Sequence, residues 1–303
     1  MAPSPREASE SLQEALQECV VGVNKTIGRL LPETDLAEDR LYQAMRHGVL
    51  SGGKRLRPFM VMQSAKLFNV DPSRARRVAA ALEFVHCYSL VHDDLPAMDN
   101  SDLRRGVPTV HVRYDEATAI LAGDALLTLA FEVISDRDTH SDPNVRVELV
   151  RKLAEASGPQ GMVGGQMLDL IGEHEEFDLG TISRMQRMKT GKLMAFACEA
   201  GAILGKADDV HKKALTNYAY DLGLAFQVTD DILDVESSSD MTGKPANQDE
   251  KAGKSTFVST MGKEEARARA KMLIGQACRH LKIFEGRADM LEELAHYVLE
   301  RRT

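Results

Sequence analysis

Aspartates recur in two tight groups. Asp93, Asp94 and Asp99, with Asp102 just beyond, fall in HDDLPAMDNSD, and Asp230, Asp231 and Asp234 fall in FQVTDDILDV. Adjacent carboxylates repel unless a cation lies between them. Mg2+ takes oxygen ligands in octahedral geometry, keeps several waters, and is typically held by one or two carboxylates together with substrate phosphates. Two such groups on different helices could grip one diphosphate through several ions. Either group alone is explained as well by a solvated helix end or face. The pair, set among apolar residues, is much less so.

Complementary charges supply the other half of this chemistry. Lys54, Arg55 and Arg57 in GGKRLRP follow a glycine pair that lets the backbone approach an anion, and Arg104 and Arg105 directly follow the first acidic group. Arginine forks match phosphate oxygens. A basic loop, an arginine pair and two acidic groups together point to a diphosphate ester with its own metal ions. A nucleotide is the competitor, because GKST occupies Gly253 to Thr256. The phosphate-loop pattern would need glycine where Gln248 stands, no strand pattern precedes it, and no G-x-G-x-x-G occurs.

The elements that must position these residues read as helices. Apolar residues recur at helical spacing, as in Val78, Leu82 and Val85 or Leu222, Ala225, Val228 and Ile232, and alternating strand-type runs are missing. Breaks rich in Gly, Pro, Asp, Asn or Ser fall at 32–38, 69–73, 95–108, 136–144, 157–161, 172–178 and 236–254. They predict an all-α bundle of about ten helices. Segments 119–134 and 192–204 are apolar or small on most faces, which implies a central helix surrounded by others. Pro96 cannot donate to the carbonyl of His92 and biases Leu95 away from helical geometry, so Asp99 should leave an irregular turn that curls back towards Asp93. Asp230 and Asp234 are four apart and share a helical face.

With 303 residues, 43% of them apolar, and no Pro, Gly or Ser-rich linker, the chain reads as a single domain over 1–303. Residues 1–10, MAPSPREASE, resemble neither a secretory signal nor a transit peptide and read as a disordered tail. A net charge of −8 argues against coating nucleic acid or an anionic membrane. The apolar stretch 117–134 is interrupted by Asp124 and Glu132 and falls short of the ~20 residues of a bilayer span, so no transmembrane segment is expected. Cys19, Cys87, Cys198 and Cys278 are far apart, which suits reduced thiols in a cytoplasmic protein and gives zinc no support.

GGKRLRP, EFVHCYSLVHDDLPAMDNSDLRRGVPT, AILAGDALLTLAF, GMVGGQMLDL, MKTGKL, GLAFQVTDDILDV and GKSTF, in that order, make the chain resemble the trans-prenyl diphosphate synthase family, and within it bacterial farnesyl diphosphate synthases. The resemblance is dense from Tyr42 to Phe257. It implies helices around a central cavity, a homodimer, three Mg2+ per active site, and the head-to-tail joining of isopentenyl diphosphate to dimethylallyl and geranyl diphosphate. Geranylgeranyl or geranyl diphosphate synthesis is the alternative within that chemistry. A non-catalytic regulatory subunit is disfavoured, because such partners generally lose one acidic group and both stand here.

The resemblance also assigns roles. It makes Asp93, Asp99 and Asp230 direct metal ligands, with Asp94, Asp231 and Asp234 supporting. Arg104, Lys189, Thr190, Gln227, Lys244 and Lys254 match positions that hold the allylic diphosphate or the carbocation near it, and Lys54, Arg57, His86 and Arg105 match the isopentenyl diphosphate pocket. Gln166 and Asp169 match the lining of the metal-filled cavity, and Tyr88 with its neighbour Ser89 matches the floor that sets product length; apart from the resemblance, the need to keep water from the reaction makes the loop 237–254 with Arg301 and Arg302 candidate lids. The one departure is Asn100 and Ser101, where many bacterial members have further aspartates.

Overall fold

A computed structural model describes residues 5–236 and 256–300, with side chains from residue 10 onward. Several of its helices begin where the sequence supplies a side-chain cap. The side chains of Asp71, Asp115, Asp142 and Asp178 each accept from a first-turn backbone N–H, of Ser73, Thr118, Asn144 and Thr181, and so start α4 (Pro72–Asp93), α6 (Glu116–Ser135), α7 (Pro143–Ser157) and α9 (Leu179–Gln186). Each such cap is worth about 1 kcal/mol. Pro72 and Pro143 occupy first-turn positions, where a missing N–H costs nothing.

Around these stand α1 (Pro5–Leu30), α2 (Asp39–Leu50), α3 (Leu56–Lys66), α5 (Val110–Arg113), α8 (Met162–Ile171), α10 (Lys192–Leu204) and α11 (Asp209–Glu236). After the undescribed segment come α12 (Phe257–Met261), α13 (Lys263–Leu281) and α14 (Asp289–Glu300). The fourteen α-helices of the described residues exceed the ten expected partly because α5 and α12 have four and five residues, too few to leave a periodic pattern. The central helix is α10: apart from Lys192 and Glu199 its residues are buried, and it packs on α3, α4, α7 and α11. Buried apolar residues from Leu12 to Val298 form one cluster around it.

Three features go beyond the sequence expectations. Helix begins at Pro5, inside the tail expected to be disordered over 1–10, because proline suits a first helical position and REASE is made of residues compatible with a helix. By length and composition α6 is apolar enough to cross a membrane, with an 18-residue window of mean hydropathy 1.7, so Asp124 and Glu132 do not exclude a span by themselves. In this fold the buried face of α6, including Ala119, Ala122, Leu126 and Ala130, packs against α4. The all-helical pattern also conceals a two-stranded antiparallel hairpin, β1 (Leu103–Arg104) and β2 (Val107–Pro108). Its connection, Arg105–Gly106, has φ of 54° and 77°, the positive pair that matches a two-residue turn to twisted strands. Strands of two residues are too short to show alternation.

Candidate active site

A cavity of about 410 Å³ opens among α3, α4, α8 and the start of α10. His86, Tyr88, Ser89 and Asp93 reach it from α4, Arg57 from α3, Gln166 from α8, and Lys189 and Thr190 from the turn before α10. Eight residues singled out in the sequence therefore line one space, and Met98, Met162, Val163, Met167, Leu170 and Leu193 give it an apolar wall.

The first acidic group has the expected bend. The Asp99 N–H donates to the Asp93 carbonyl at 2.8 Å, and those of Met98 and Asn100 donate to the Leu95 carbonyl at 2.9 and 3.1 Å, so the chain beyond α4 folds back on its own end. Asn100 takes the left-handed conformation at φ 49°, which both Asn and Asp tolerate, so its departure from the family pattern leaves the turn intact. Burial pushes the Asp93 carboxyl up to about 6; Lys189 and Arg104 oppose the rise, while Asp99 and Asp94 add to it. A desolvated carboxylate beside like charges fits a divalent cation, which would remove both penalties. Among the described residues no three His, Cys, Asp or Glu side chains converge closely enough to hold an ion by themselves. Asp94 is directed differently: it is 3% exposed and takes both of its oxygens to Arg104, at 2.8 and 2.9 Å from Nε.

Opposite Asp93 the backbone of 187–191 widens into a π-turn, a local form frequent at functional sites. Gly165 of α8 permits it, since a Cβ there would lie 2.2 Å from the Lys189 nitrogen. Lys189 donates to Asp169 at 2.8 Å, and the Thr190 hydroxyl donates to Gln227 Oε1 on α11 at 3.0 Å.

The basic loop approaches from the other side. Gly52 and Gly53 have φ of 94° and 116°, and the Arg105 guanidinium lies over Gly53 and donates to the Gly52 carbonyl. The hairpin and the loop thus set Arg105 against the glycine turn and close enough to Arg57 for its charge to act there, while neither Lys54 nor Arg105 is among the residues lining the cavity. Nε of Arg57 is sheltered without a hydrogen-bond partner. Burial, followed by the charges of Arg57, Arg105 and Arg104, holds His86 well below the usual imidazole range, so it stands neutral at pH 7. Lys54 donates to the Tyr297 hydroxyl of α14 at 3.2 Å.

In the second acidic group Asp230 lies near enough for its charge to act on Arg57. Asp231 is 6% exposed and accepts the Phe257 N–H at 2.8 Å, holding the start of α12 against α11. Lys244, Lys254, Arg301, Arg302 and the loop 237–254 lie outside the described residues. Sequence reasoning missed Tyr297, which no motif contains, and Glu83, although a charged residue within the apolar run AAALEFV was a signal that it is buried with a partner.

The profile of the polyprenyl synthetase family matches residues 38–291. The chain is 44% identical over 296 residues to the farnesyl diphosphate synthase of Escherichia coli (strain K12), covering 95% of this chain and 98% of that one. It is 38% identical over 262 residues to the geranylgeranyl diphosphate synthase of Cyanophora paradoxa, covering 86% and 87%. A solved FPP/GFPP synthase from Zymomonas mobilis superposes with a TM-score of 0.87 at 45% identity, covering 95% of this chain and 99% of that one. A helical fold carrying acidic and basic groups on one cavity, matched along nearly its whole length, places this chain in the polyprenyl synthetase family.

Proposed function

We propose that this protein is a magnesium-dependent prenyltransferase that condenses isopentenyl diphosphate head-to-tail with dimethylallyl and then geranyl diphosphate to give farnesyl diphosphate. The reading includes a single-domain subunit, a homodimer and a cytoplasmic location, with no nucleic-acid partner. The observation that carries it is the one cavity lined by Asp93, Lys189, Thr190, Arg57 and His86, with Tyr88 beside its apolar residues.

In this reaction the allylic C–O bond breaks, the isopentenyl double bond supplies the electron pair of the new C–C bond, and a proton leaves to form the new double bond. Mg2+ held by Asp93, Asp99 and Asp230, with Asp94, Asp231 and Asp234 behind them, would supply Lewis-acid stabilisation of the departing diphosphate. Arg104, Lys189, Lys244 and Lys254 add fixed positive charge to the allylic diphosphate. Thr190 and Gln227 offer oxygen dipoles to the cation, and their mutual hydrogen bond holds them in place. Lys54, Arg57 and Arg105 take the isopentenyl diphosphate, and neutral His86 can donate one hydrogen bond without adding charge. The released diphosphate accepts the proton.

Incubation with isopentenyl diphosphate, geranyl diphosphate and Mg2+ should yield a fifteen-carbon product. A twenty-carbon product would reassign the chain to geranylgeranyl diphosphate synthesis, turnover of dimethylallyl diphosphate alone would reassign it to geranyl diphosphate synthesis, and absence of turnover with either allylic substrate would remove the enzymatic reading. The two diphosphate sites should also separate kinetically. Arg57→Ala is expected to raise KM for isopentenyl diphosphate about 10–100-fold, the usual effect of losing a charged hydrogen bond, while Lys189→Ala chiefly affects the allylic substrate. Gly53→Ala should act like Arg57→Ala, because its Cβ would lie 2.5 Å from Arg105 Nη1 at a φ of 116°. Equal effects on both substrates from each change would contradict the partition.

A further inference from the structure

Between Lys54 and Arg57 stands a third basic residue whose side chain runs the other way. The Arg55 side chain is 1% exposed, and each of its nitrogens has a partner on a different helix. Nε donates to Asn24 Oδ1 on α1 at 3.1 Å, Nη1 to Glu83 Oε1 on α4 at 2.5 Å, and Nη2 to the Val49 carbonyl near the end of α2 at 2.5 Å. Glu83 is itself 3% exposed along its side chain, and the Cys87 thiol lies 3.8 Å from its Oε1. The Arg55 backbone is left-handed at φ 51°, a conformation that costs a side chain-bearing residue energy and persists only where its surroundings fix it.

Burying an ion pair is a poor way to gain stability, because desolvation offsets the attraction and apolar residues of similar volume serve as well. The pair must therefore be judged by what it positions. Arg55 turns inward at the junction of the loop and α3, between Lys54, the last loop residue before it, and Arg57, which reaches the cavity from the first turn of α3. Glu83 lies three residues before His86 on the same helix, so one bond sets the loop against the helix that supplies the imidazole.

We infer that Arg55 and Glu83 are positioning residues of the isopentenyl diphosphate site: a buried brace that holds Lys54 and Arg57 in register with His86 and never touches the diphosphate. The inference rests on the assignment of Lys54, Arg57 and His86 proposed above. A preformed diphosphate cradle binds without first ordering its loop, so loosening the brace should weaken that substrate selectively.

The test is steady-state kinetics on Arg55→Lys and Glu83→Gln, varying each substrate at saturation of the other, with thermal midpoints measured alongside. Lysine keeps the charge but cannot bridge Glu83, Asn24 and Val49 at once. Each variant is expected to raise KM for isopentenyl diphosphate about tenfold, with KM for geranyl diphosphate changed less than about twofold. If Arg55 were instead a diphosphate ligand that swings outward, Glu83→Gln would release it and leave that KM unchanged or lower, which overturns the inference. Equal losses for both substrates that follow the fall in thermal midpoint would mark a merely structural pair and also overturn it. Should either variant fail to fold, Arg55→Met/Glu83→Met removes both charges at similar volume and must show the same split. An inactive wild type would remove the functional reading and this inference with it, whereas an active wild type with unaltered variants removes the inference alone.

Discussion

Asp93→Ala is expected to yield a folded protein that turns over about 10²–10³-fold more slowly than wild type and yet unfolds at a higher temperature. On the assignment proposed above, the loss follows from removing a ligand to a cation that would stabilise charge built up on the departing diphosphate, an effect worth several kcal/mol. The stability gain follows from the carboxyl itself. Burial raises it to about 6 in the fold, above its ordinary value of 3.8. A raised carboxyl favours the fold while protonated, below its ordinary value, and that advantage is lost as pH rises through about 6. At pH 7.5 the metal-free wild type therefore carries an ionised, poorly solvated carboxylate that costs on the order of 1–3 kcal/mol, which alanine removes. Between pH 4 and 6 the two proteins should converge. Scanning calorimetry without metal at pH 5 and 7.5, with kinetics in excess Mg2+, decides this; near-normal turnover would remove Asp93 from the ligand set. Magnesium with diphosphate should stabilise the wild type and leave the variant almost unmoved. Asp230→Ala should lose turnover to a similar degree.

What could be read from the chain alone was whatever local chemistry dictates. Pro96 stops α4 from continuing regularly, and with it comes the return of Asp99 onto the Asp93 carbonyl. Asp71, Asp115, Asp142 and Asp178 cap helices because of their own side chains and the residues just after them. The small, apolar segment 192–204 could only be interior, and α10 is. Features set by contacts between distant segments were hidden. The π-turn at Lys189 depends on how closely Gly165 of another helix approaches it. Arg55 and Arg57 are two apart in one basic run, yet the left-handed backbone at Arg55 sends one inward to Glu83 and leaves the other at the cavity. Lys54 meets Tyr297 from near the other end of the chain, a pairing no local pattern encodes. Asp94 and Arg104, assigned by resemblance to metal and diphosphate, are bonded to each other here. Lys189 and Asp169, assigned in the same way to diphosphate and cavity lining, are likewise paired.

Tyr88→Ala is expected to change what the enzyme makes more than how fast it makes it. Tyr88 is 7% exposed and lines the same cavity as Asp93, five residues further along α4. At ~1.5 Å per residue the ring is anchored ~7.5 Å from the acidic jaw, where, on the proposed assignment, a growing isoprenoid tail would arrive after one or two additions. An isolated helical aromatic is usually ordinary packing, but this ring borders the cavity on one side and meets His92 on the other. The His92 imidazole meets it edge to face at 5.8 Å and 82°, and His92 is itself held by the Ile120 carbonyl, 3.0 Å from Nε2. A ring held in this way cannot turn aside cheaply when the tail reaches it, and Ser89 beside it is too small to stop the tail alone. Burial, followed by the charge of Asp93, also pushes the phenol up to about 12, so it stays neutral throughout the working pH range and presents no charge to the hydrocarbon. Truncation to alanine removes the obstruction and leaves the acidic jaw untouched, so turnover should stay within about tenfold of wild type. With dimethylallyl diphosphate as primer, wild type should stop at fifteen carbons, and Tyr88→Ala should release twenty-carbon and longer chains as the major product. Chromatographic sizing of the dephosphorylated products reads this directly. An unchanged fifteen-carbon product from the variant would move the floor to another lining residue, with Met98 and Met162 the next side chains to truncate.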